Sequence, residues 1–255
     1  MKSWPEVEYS KHNKHEEVDP KRSFAMNQPS PLALITGASR GLGLALARRL
    51  ARDHWRLVID ARGSEALEQA RLELAQWTDV IALAGDITSR EHRQALALVI
   101  EQHGKLDLLV NNASILGPSP QPDLLHYPLD ALEQVYRVNT IAPLALIQAV
   151  RPYLPDNACI LNITSDAGVE SYAGWGGYGS SKAALEQLSN ILAAENETWR
   201  VYRVDPGDMN TQLHQEAFPG EDITDRPLPE TSVPGLLALV QGTYPSGRYA
   251  ARELA

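Results

Sequence analysis

The sequence predicts an α/β chain with a single domain, built on a doubly wound parallel sheet with right-handed crossovers. Three observations predict it. From Pro31 onward, short apolar runs alternate with amphipathic helical stretches. The runs are continuous rather than polar on every second residue, as in strands covered on both faces. A glycine-rich turn joins the first run to the first helix.

Residues 32–36 form the first apolar strand, and 42–53 the helix that follows the turn. A second strand at 56–60 precedes an amphipathic helix at 64–77. The third strand, 80–84, leads into Gly85-Asp86-Ile87-Thr88 and a helix at 89–103. A fourth strand, 106–110, ends at Asn111-Asn112-Ala113-Ser114. A long helix over 129–153 contains Pro143, which should bend it or mark a join, because an interior proline removes one backbone bond. The fifth strand is 158–164, the next helix 179–195, and the sixth strand 199–204, followed by Asp205-Pro206-Gly207. Residues 208–235 read as an irregular loop with Pro219, Pro227, Pro229 and Pro234; such long loops are functional or poorly ordered. A short helix near 232–240 and an edge strand at 248–251 complete the domain.

Residues 1–30 stand apart: polar, interrupted by Pro5, Pro20 and Pro29, and without a sustained period. They read as a flexible N-terminal extension, leaving 31–255 as the domain. The chain's 255 residues suit one such unit, with 44% hydrophobic and 22% charged residues. A net charge of −9 argues against a broad nucleic-acid surface but leaves room for one anionic cofactor. No run reaches the length of a membrane span, and no apolar N-terminal segment reads as a signal peptide, so a cytoplasmic setting is expected. Cys159, the single cysteine, sits in an apolar run and reads as a buried structural thiol. His12 and His15 cluster in the N-terminal extension without further ligands, and no metal site is expected.

Tyr178 and Lys182 are four residues apart, which on a helix sets a phenol and an ammonium side by side. Ser165 lies thirteen residues upstream of Tyr178, at the end of the fifth strand. Gly37, Gly41 and Gly43 are spaced G-x3-G-x-G between strand and helix. Glycines there permit a tight turn and close backbone approach, and the helix N-terminus beyond favours a diphosphate. Ser39 offers a hydroxyl and Arg40 a charge. Alone, such a turn serves equally as a tight connection. Joined to the Ser/Tyr/Lys set, it points to nicotinamide-dependent carbonyl chemistry. Hydride addition to a carbonyl builds charge on oxygen and calls for an acid; Tyr178 supplies it, Lys182 favours its anion, and Ser165 holds the substrate oxygen.

These motifs, with Asp86, Asn111-Asn112-Ala113, Asn139 and Pro206-Gly207, resemble those of short-chain dehydrogenases/reductases of the single-domain branch over about residues 31–210. Ser114 departs from the glycine that usually completes the Asn-Asn-Ala signature. The resemblance implies a Rossmann-type fold, with cofactor contacts along Gly37, Ser39, Arg40, Gly41, Leu42 and Gly43, and with Tyr178 and Lys182 also bordering the cofactor. Asp86, with the backbone near Ile87, matches the segment that positions adenine, although capping the helix after Ile87 is equally open to it. Asn111 and Ala113 match backbone along the adenosine side; Asn112 either joins them there or stabilises the sheet's central turn. Pro206, Gly207, Met209 and Thr211 match the segment that binds the nicotinamide carboxamide. Asn139 matches a fourth catalytic residue that retains a water linking Lys182 to solvent, with helix packing as its plainer role. Asp60 could read a ribose 2′-hydroxyl, whereas the family's usual acid position is Ala61 here. Arg62, with Arg40, suits a 2′-phosphate, so NADP(H) is favoured over NAD(H).

Tyr172 and Trp175 read as an aromatic substrate wall or as packing beneath the 208–235 loop, with Leu116 and Phe218 as further wall candidates. The expected partner is a small carbonyl or alcohol substrate, and the helices at 129–153 and 179–195 resemble those that form homodimers or homotetramers. An epimerase or dehydratase of the related extended group lacks support because its G-x-x-G-x-x-G turn is absent. A catalytically silent nucleotide-sensing or scaffold protein is the alternative from another class. Retention of Ser165, Tyr178 and Lys182 together argues against it.

Overall fold

A computed structural model describes residues 30–254. The expected N-terminal extension, with its histidines, lies outside the described residues. Seven parallel strands form one sheet in the order β3-β2-β1-β4-β5-β6-β7. They are β1 Leu32–Ile35, β2 Arg56–Ala61, β3 Val80–Ala84, β4 Leu108–Asn111, β5 Cys159–Ile163, β6 Arg200–Asp205 and β7 Gly247–Ala250. The helices are α1 Gly41–Arg52, α2 Ser64–Leu74, α3 Arg90–His103, α4 Leu129–Tyr136, α5 Ala142–Val150, α6 Gly176–Glu195, α7 Gln212–Ala217 and α8 Val233–Gln241. The order reverses between β1 and β4, and such a reversal opens a crevice at the carboxyl ends of the strands.

The apolar runs explain the layers. In β1, alternate residues supply opposite faces: Ala33 and Ile35 join a core with α1, α2 and α8, while Leu32 and Leu34 join a second core with α3 and α5. Covering both faces is what a parallel sheet requires. The edge strands β3 and β7 are only half-buried, unlike β1, β4 and β5. Cys159 is buried on β5, and burial pushes its thiol up to about 12. No helix among the described residues is long and apolar enough to cross a membrane.

Three expectations change. The 129–153 helix is interrupted before Pro143, by a π-helical segment at Arg137–Ile141. Pro143 falls in the first turn of α5, so the expected join lies at the proline, with the π-helical segment leading into it. Helix α6 begins at Gly176, which brings Tyr178 into its first turn. The 208–235 segment is not wholly irregular: it carries α7, whose start is capped by Thr211 Oγ1 accepting from the His214 N–H, and a 3₁₀ turn at Pro229–Ser232.

Behind the strand ends, a buried polar ladder fixes β4, β5 and α6 relative to one another. Asn111 Nδ2 donates to Asn162 Oδ1 at 2.8 Å, and Asn162 Nδ2 donates to Ser189 Oγ at 2.7 Å. Replacing Asn162 by Ala should leave the Asn111 amide without an acceptor and cost about 2–4 kcal/mol in denaturant unfolding. A loss below about 0.5 kcal/mol, the ordinary range for a site free of such features, would contradict the ladder's role.

Candidate active site

The turn after β1 is shaped by what its glycines permit. Gly37 and Gly41 have φ of 65° and 57°, the left-handed region that glycine adopts without strain. A Cβ on Gly43 would lie 2.6 Å from both Asn112 Nδ2 and Gly37 O, so the helix can pass there only without a side chain. Asn112 braces the same turn, donating to Thr36 O at 2.9 Å and Gly37 O at 3.1 Å. Thr36 Oγ1 in turn accepts from the N–H groups of Asn112 and Ala113. Helix α1 starts with no side-chain cap and no acid in its first turn, so its free N–H groups stay available to an anion.

A cleft of about 870 Å³ runs from this turn across the strand ends. Of the expected cofactor residues, Gly37, Ser39, Arg40, Gly41, Leu42, Asp60, Arg62, Asp86, Ile87, Asn112, Ala113, Tyr178, Lys182, Pro206, Met209 and Thr211 line it. Gly43 does not; it lies beneath the turn. Asn111 does not either, because its side chain is spent on the ladder to Asn162. Gly207 lines a neighbouring cavity instead.

Asp60 differs most from expectation. It is 1% exposed, and its Oδ2 meets His92 Nε2 at 2.5 Å. Burial raises its pKa, while His92 and the Gly37 backbone pull it back. With its carboxylate engaged by helix α3 and the glycine turn, Asp60 is a bracket rather than a free reader of a ribose. Asp86 is exposed and accepts from both the N–H and the hydroxyl of Thr88 at 2.8 Å, closing a turn, while Ser89 is the residue that caps α3. Arg40 donates to Gln212 Oε1 and ties the turn to α7. Arg48, not singled out in the sequence, also lines the cleft and is held by Glu73.

The second cavity, about 310 Å³, is lined by Ser165, Tyr172, Trp175, Tyr178, Gly207 and Phe218 among others. Tyr178 borders both spaces, with Ser165 on one side and Lys182 on the other. Trp175 packs edge-on against Tyr178 at 5.8 Å between ring centroids. Leu116 is buried beneath Tyr178 and does not line the cavity. Ser165 Oγ donates to Asp166 Oδ1 at 2.9 Å and accepts from the Ala167 N–H.

Lys182 is 2% exposed, donates from Nζ to Ile163 O at 2.8 Å, and stands 5.5 Å from the Tyr178 ring centroid. The spacing on α6 does bring the two side chains together, but their ionisation differs from expectation. Burial pushes the Tyr178 phenol well above its ordinary value; hydrogen bonds from Ser114 and Ser165 pull it down, and Asp205 and Asp166 push it up. Burial lowers Lys182 to about 7, against the pull of Glu186. The expected lowering of the phenol by Lys182 is therefore absent in the protein alone, because a dry site disfavours both charges.

Asn139 lies in the π-helical segment with its side chain fully engaged. Its Oδ1 accepts from Ser114 Oγ and the Ile115 N–H, and its Nδ2 donates to Ile115 O and Ser181 Oγ. It thus joins the β4 loop to α6. Ser114, noted in the sequence only as a departure from glycine, is a hydroxyl neighbour of Tyr178. That departure was the available signal. His92 gave none, since only the fold brings it to Asp60.

Comparison with known proteins gives this geometry its family. The short chain dehydrogenase model matches residues 31–222. A rhamnolipid-biosynthesis 3-oxoacyl-[acyl-carrier-protein] reductase of Pseudomonas aeruginosa is 36% identical over 64% of this chain and 66% of its own length. The 2-(R)-hydroxypropyl-CoM dehydrogenase of Xanthobacter autotrophicus is 32% identical over 78% of this chain and 82% of its own. A Shigella flexneri short chain dehydrogenase, solved with NADP, superposes with a TM-score of 0.81 at 28% identity, over 87% of this chain and 97% of that one. The chain belongs to the short-chain dehydrogenase/reductase family. It is an NAD(P)-dependent oxidoreductase of that class.

Lys182 gives a signed pH prediction. An unfolded lysine holds its proton to about pH 10.4, whereas the folded one releases it near 7. Between these values the unfolded state binds the extra proton, so this group makes the fold more stable as pH rises and weakens it as pH falls toward 7. The stability of the native chain minus that of Lys182→Met, from thermal melts, should therefore become more positive from pH 7 to 10. A difference that does not change with pH would contradict the depressed value.

Proposed function

We propose that this chain is an NADP(H)-dependent oxidoreductase that interconverts a carbonyl and an alcohol. Tyr178 serves as general acid/base, Lys182 as its electrostatic partner and Ser165 as the holder of the substrate oxygen. The observation that carries the reading is the position of Tyr178 on the wall shared by the two cavities. One space offers the glycine turn and an open helix N-terminus, which suit a dinucleotide; the other offers room for a small substrate.

The glycine turn, the start of α1, Ala113 and the segment Met209–Thr211 would hold the dinucleotide. When bound, the nicotinamide supplies or accepts the hydride at the substrate carbon. As charge develops on the substrate oxygen, Tyr178 delivers its proton; in the reverse direction it takes the alcohol proton. Ser165 turns its hydrogen from Asp166 toward that oxygen. Lys182 spends one donor on Ile163 O and keeps further N–H groups for the cleft. The raised phenol favours the acid form at neutral pH, which suits reduction. Alcohol oxidation needs a nearby positive charge to make the phenolate accessible. Asn139 acts as a positioning residue: it fixes the loop bearing Ser114 against α6.

The charges along the cleft support NADP(H). The Asp60 carboxylate is engaged by His92 and the Gly37 backbone, which leaves it less free to accept from a ribose hydroxyl. Arg62 and Arg40 line the same end. A homo-oligomer built through α4 and α6 is also proposed, since Leu129, Ile141 and Ile191 are exposed apolar residues on or beside these helices.

Fluorescence titration should show tighter binding of NADPH than of NADH. Arg62→Ala should weaken NADPH about tenfold, the scale of one charge-assisted contact, with a smaller effect on NADH. Tighter NADH binding in the native chain would overturn the cofactor assignment.

Tyr178→Phe keeps the ring and removes the acid. Carbonyl turnover should fall at least ~100-fold with the dinucleotide still bound. Near-native turnover in that variant would refute the role given to Tyr178.

A further inference from the structure

The substrate cavity carries a charge pattern that hydride chemistry does not require. Asp166, Asp205 and Asp208 line it, and no lysine or arginine is among its lining residues. Asp205 has a basic partner behind the wall, Arg248 at 3.4 Å. Asp166 faces Ser165 and accepts from the Tyr172 hydroxyl at 3.0 Å. Asp208 has a side chain 64% exposed, with His214 Nδ1 at 3.8 Å. Burial lowers the pKa of His214, which keeps that ring neutral at neutral pH.

The same lining carries aromatic rings. Trp175 meets Tyr172 at 6.5 Å, Tyr178 at 5.8 Å and Phe218 at 6.0 Å between ring centroids. Aromatic rings beside carboxylates form an environment that holds organic cations; with Asp205 paired to Arg248, Asp166 and Asp208 are left for that role, and Arg252 reaches the Asp208 backbone carbonyl rather than its carboxylate. Two buried side chains of the same lining, Thr164 at 2% and His214 at 8% exposure, have polar atoms without a hydrogen-bond partner among the described residues. Both atoms are covered by protein and lie behind the lining rather than on its surface.

We propose that this cavity selects carbonyl or alcohol substrates that carry a positively charged nitrogen, held between the Tyr172–Trp175–Phe218 rings and the carboxylates of Asp166 and Asp208. The proposal rests on the reading of Tyr178 as the acid/base. It also bears on the chemistry, since Asp205 and Asp166 both push the Tyr178 phenol upward. A cation on the substrate offsets that field. A neutral polyol would donate hydrogen bonds to the carboxylates but leave the charge in place, and an anionic substrate would be repelled.

The test uses the full chain with its dinucleotide and a matched pair of ketones: the quaternary dimethyl-oxopiperidinium ion and its carbon isostere, dimethylcyclohexanone. Dihydroxyacetone and oxocyclohexanecarboxylate supply the polyol and anion arms. We expect kcat/KM for the cation to exceed that for the isostere about tenfold or more, the scale of a partly desolvated cation held by rings and a carboxylate. Calorimetric titration of the dinucleotide complex should give the same order of affinity. Asp208→Asn should bring both ratios toward one. Equal or better use of the isostere, the polyol or the anion would overturn the proposal. Tighter cation binding, abolished by Asp208→Asn, without turnover of any ketone would support this proposal and sink the redox roles. Turnover without cation preference would do the reverse, and absence of both would overturn both.

Discussion

The site depends on one constraint: a phenol and an amine must be kept dry side by side at the end of β5. Tyr178 is 7% exposed and Lys182 2%. Neither is paired with a counter-charge in direct contact, and burial disfavours the ionised form of each. The surroundings nevertheless satisfy both. Lys182 donates to Ile163 O, the carbonyl at the end of β5, while the hydroxyls of Ser114 and Ser165 attend the phenol. A pair poised in this way responds strongly to any charge brought beside it, because little water is present to screen it.

The scaffold holds that pair in place. Parallel strands end together at the crevice between β1 and β4, and the loops leaving them supply the glycine turn, the Asn112 brace and Ser165. The ladder through Asn111, Asn162 and Ser189 ties β4 and β5 to α6, the helix that carries both Tyr178 and Lys182. Asn139 ties the β4 loop to the same helix from the other side. Side chains that resemble ligand contacts in the sequence are thus spent on positioning those that face the cleft. Rigid support of this kind is what a proton-transfer geometry needs.

Much of this was legible in the chain, for local reasons. Spacing of four on a helix is a property of the backbone, so Tyr178 and Lys182 could be paired before any fold was known. Continuous apolar runs gave the strands, though they concealed that β3 and β7 are half-buried edges, since burial depends on neighbours that a run does not name. Pro143 marks the join in the long helix, as a residue lacking an N–H should, but the π-helical segment that precedes it has no signature in the sequence. Asp60 illustrates the deeper limit. Its type and position suggested a free carboxylate; its partner, His92, is 32 residues away and reaches it only across β3 and the start of α3. The Thr211 cap hid in a proline-rich stretch that composition marks only as loop.

The account's central claim is that burial keeps Tyr178 protonated and that a bound positive charge brings its anion within reach. The most direct test is the carbon-13 NMR signal of the Tyr178 ring carbon bearing the hydroxyl, followed through a pH titration with and without the oxidised dinucleotide, with Tyr178→Phe to assign it. The account predicts a phenol that stays protonated past its ordinary value of about 10 in the free protein and titrates at a clearly lower pH in the complex. A phenol that already titrates below its ordinary value in the free protein, or one that the dinucleotide leaves unmoved, would contradict it.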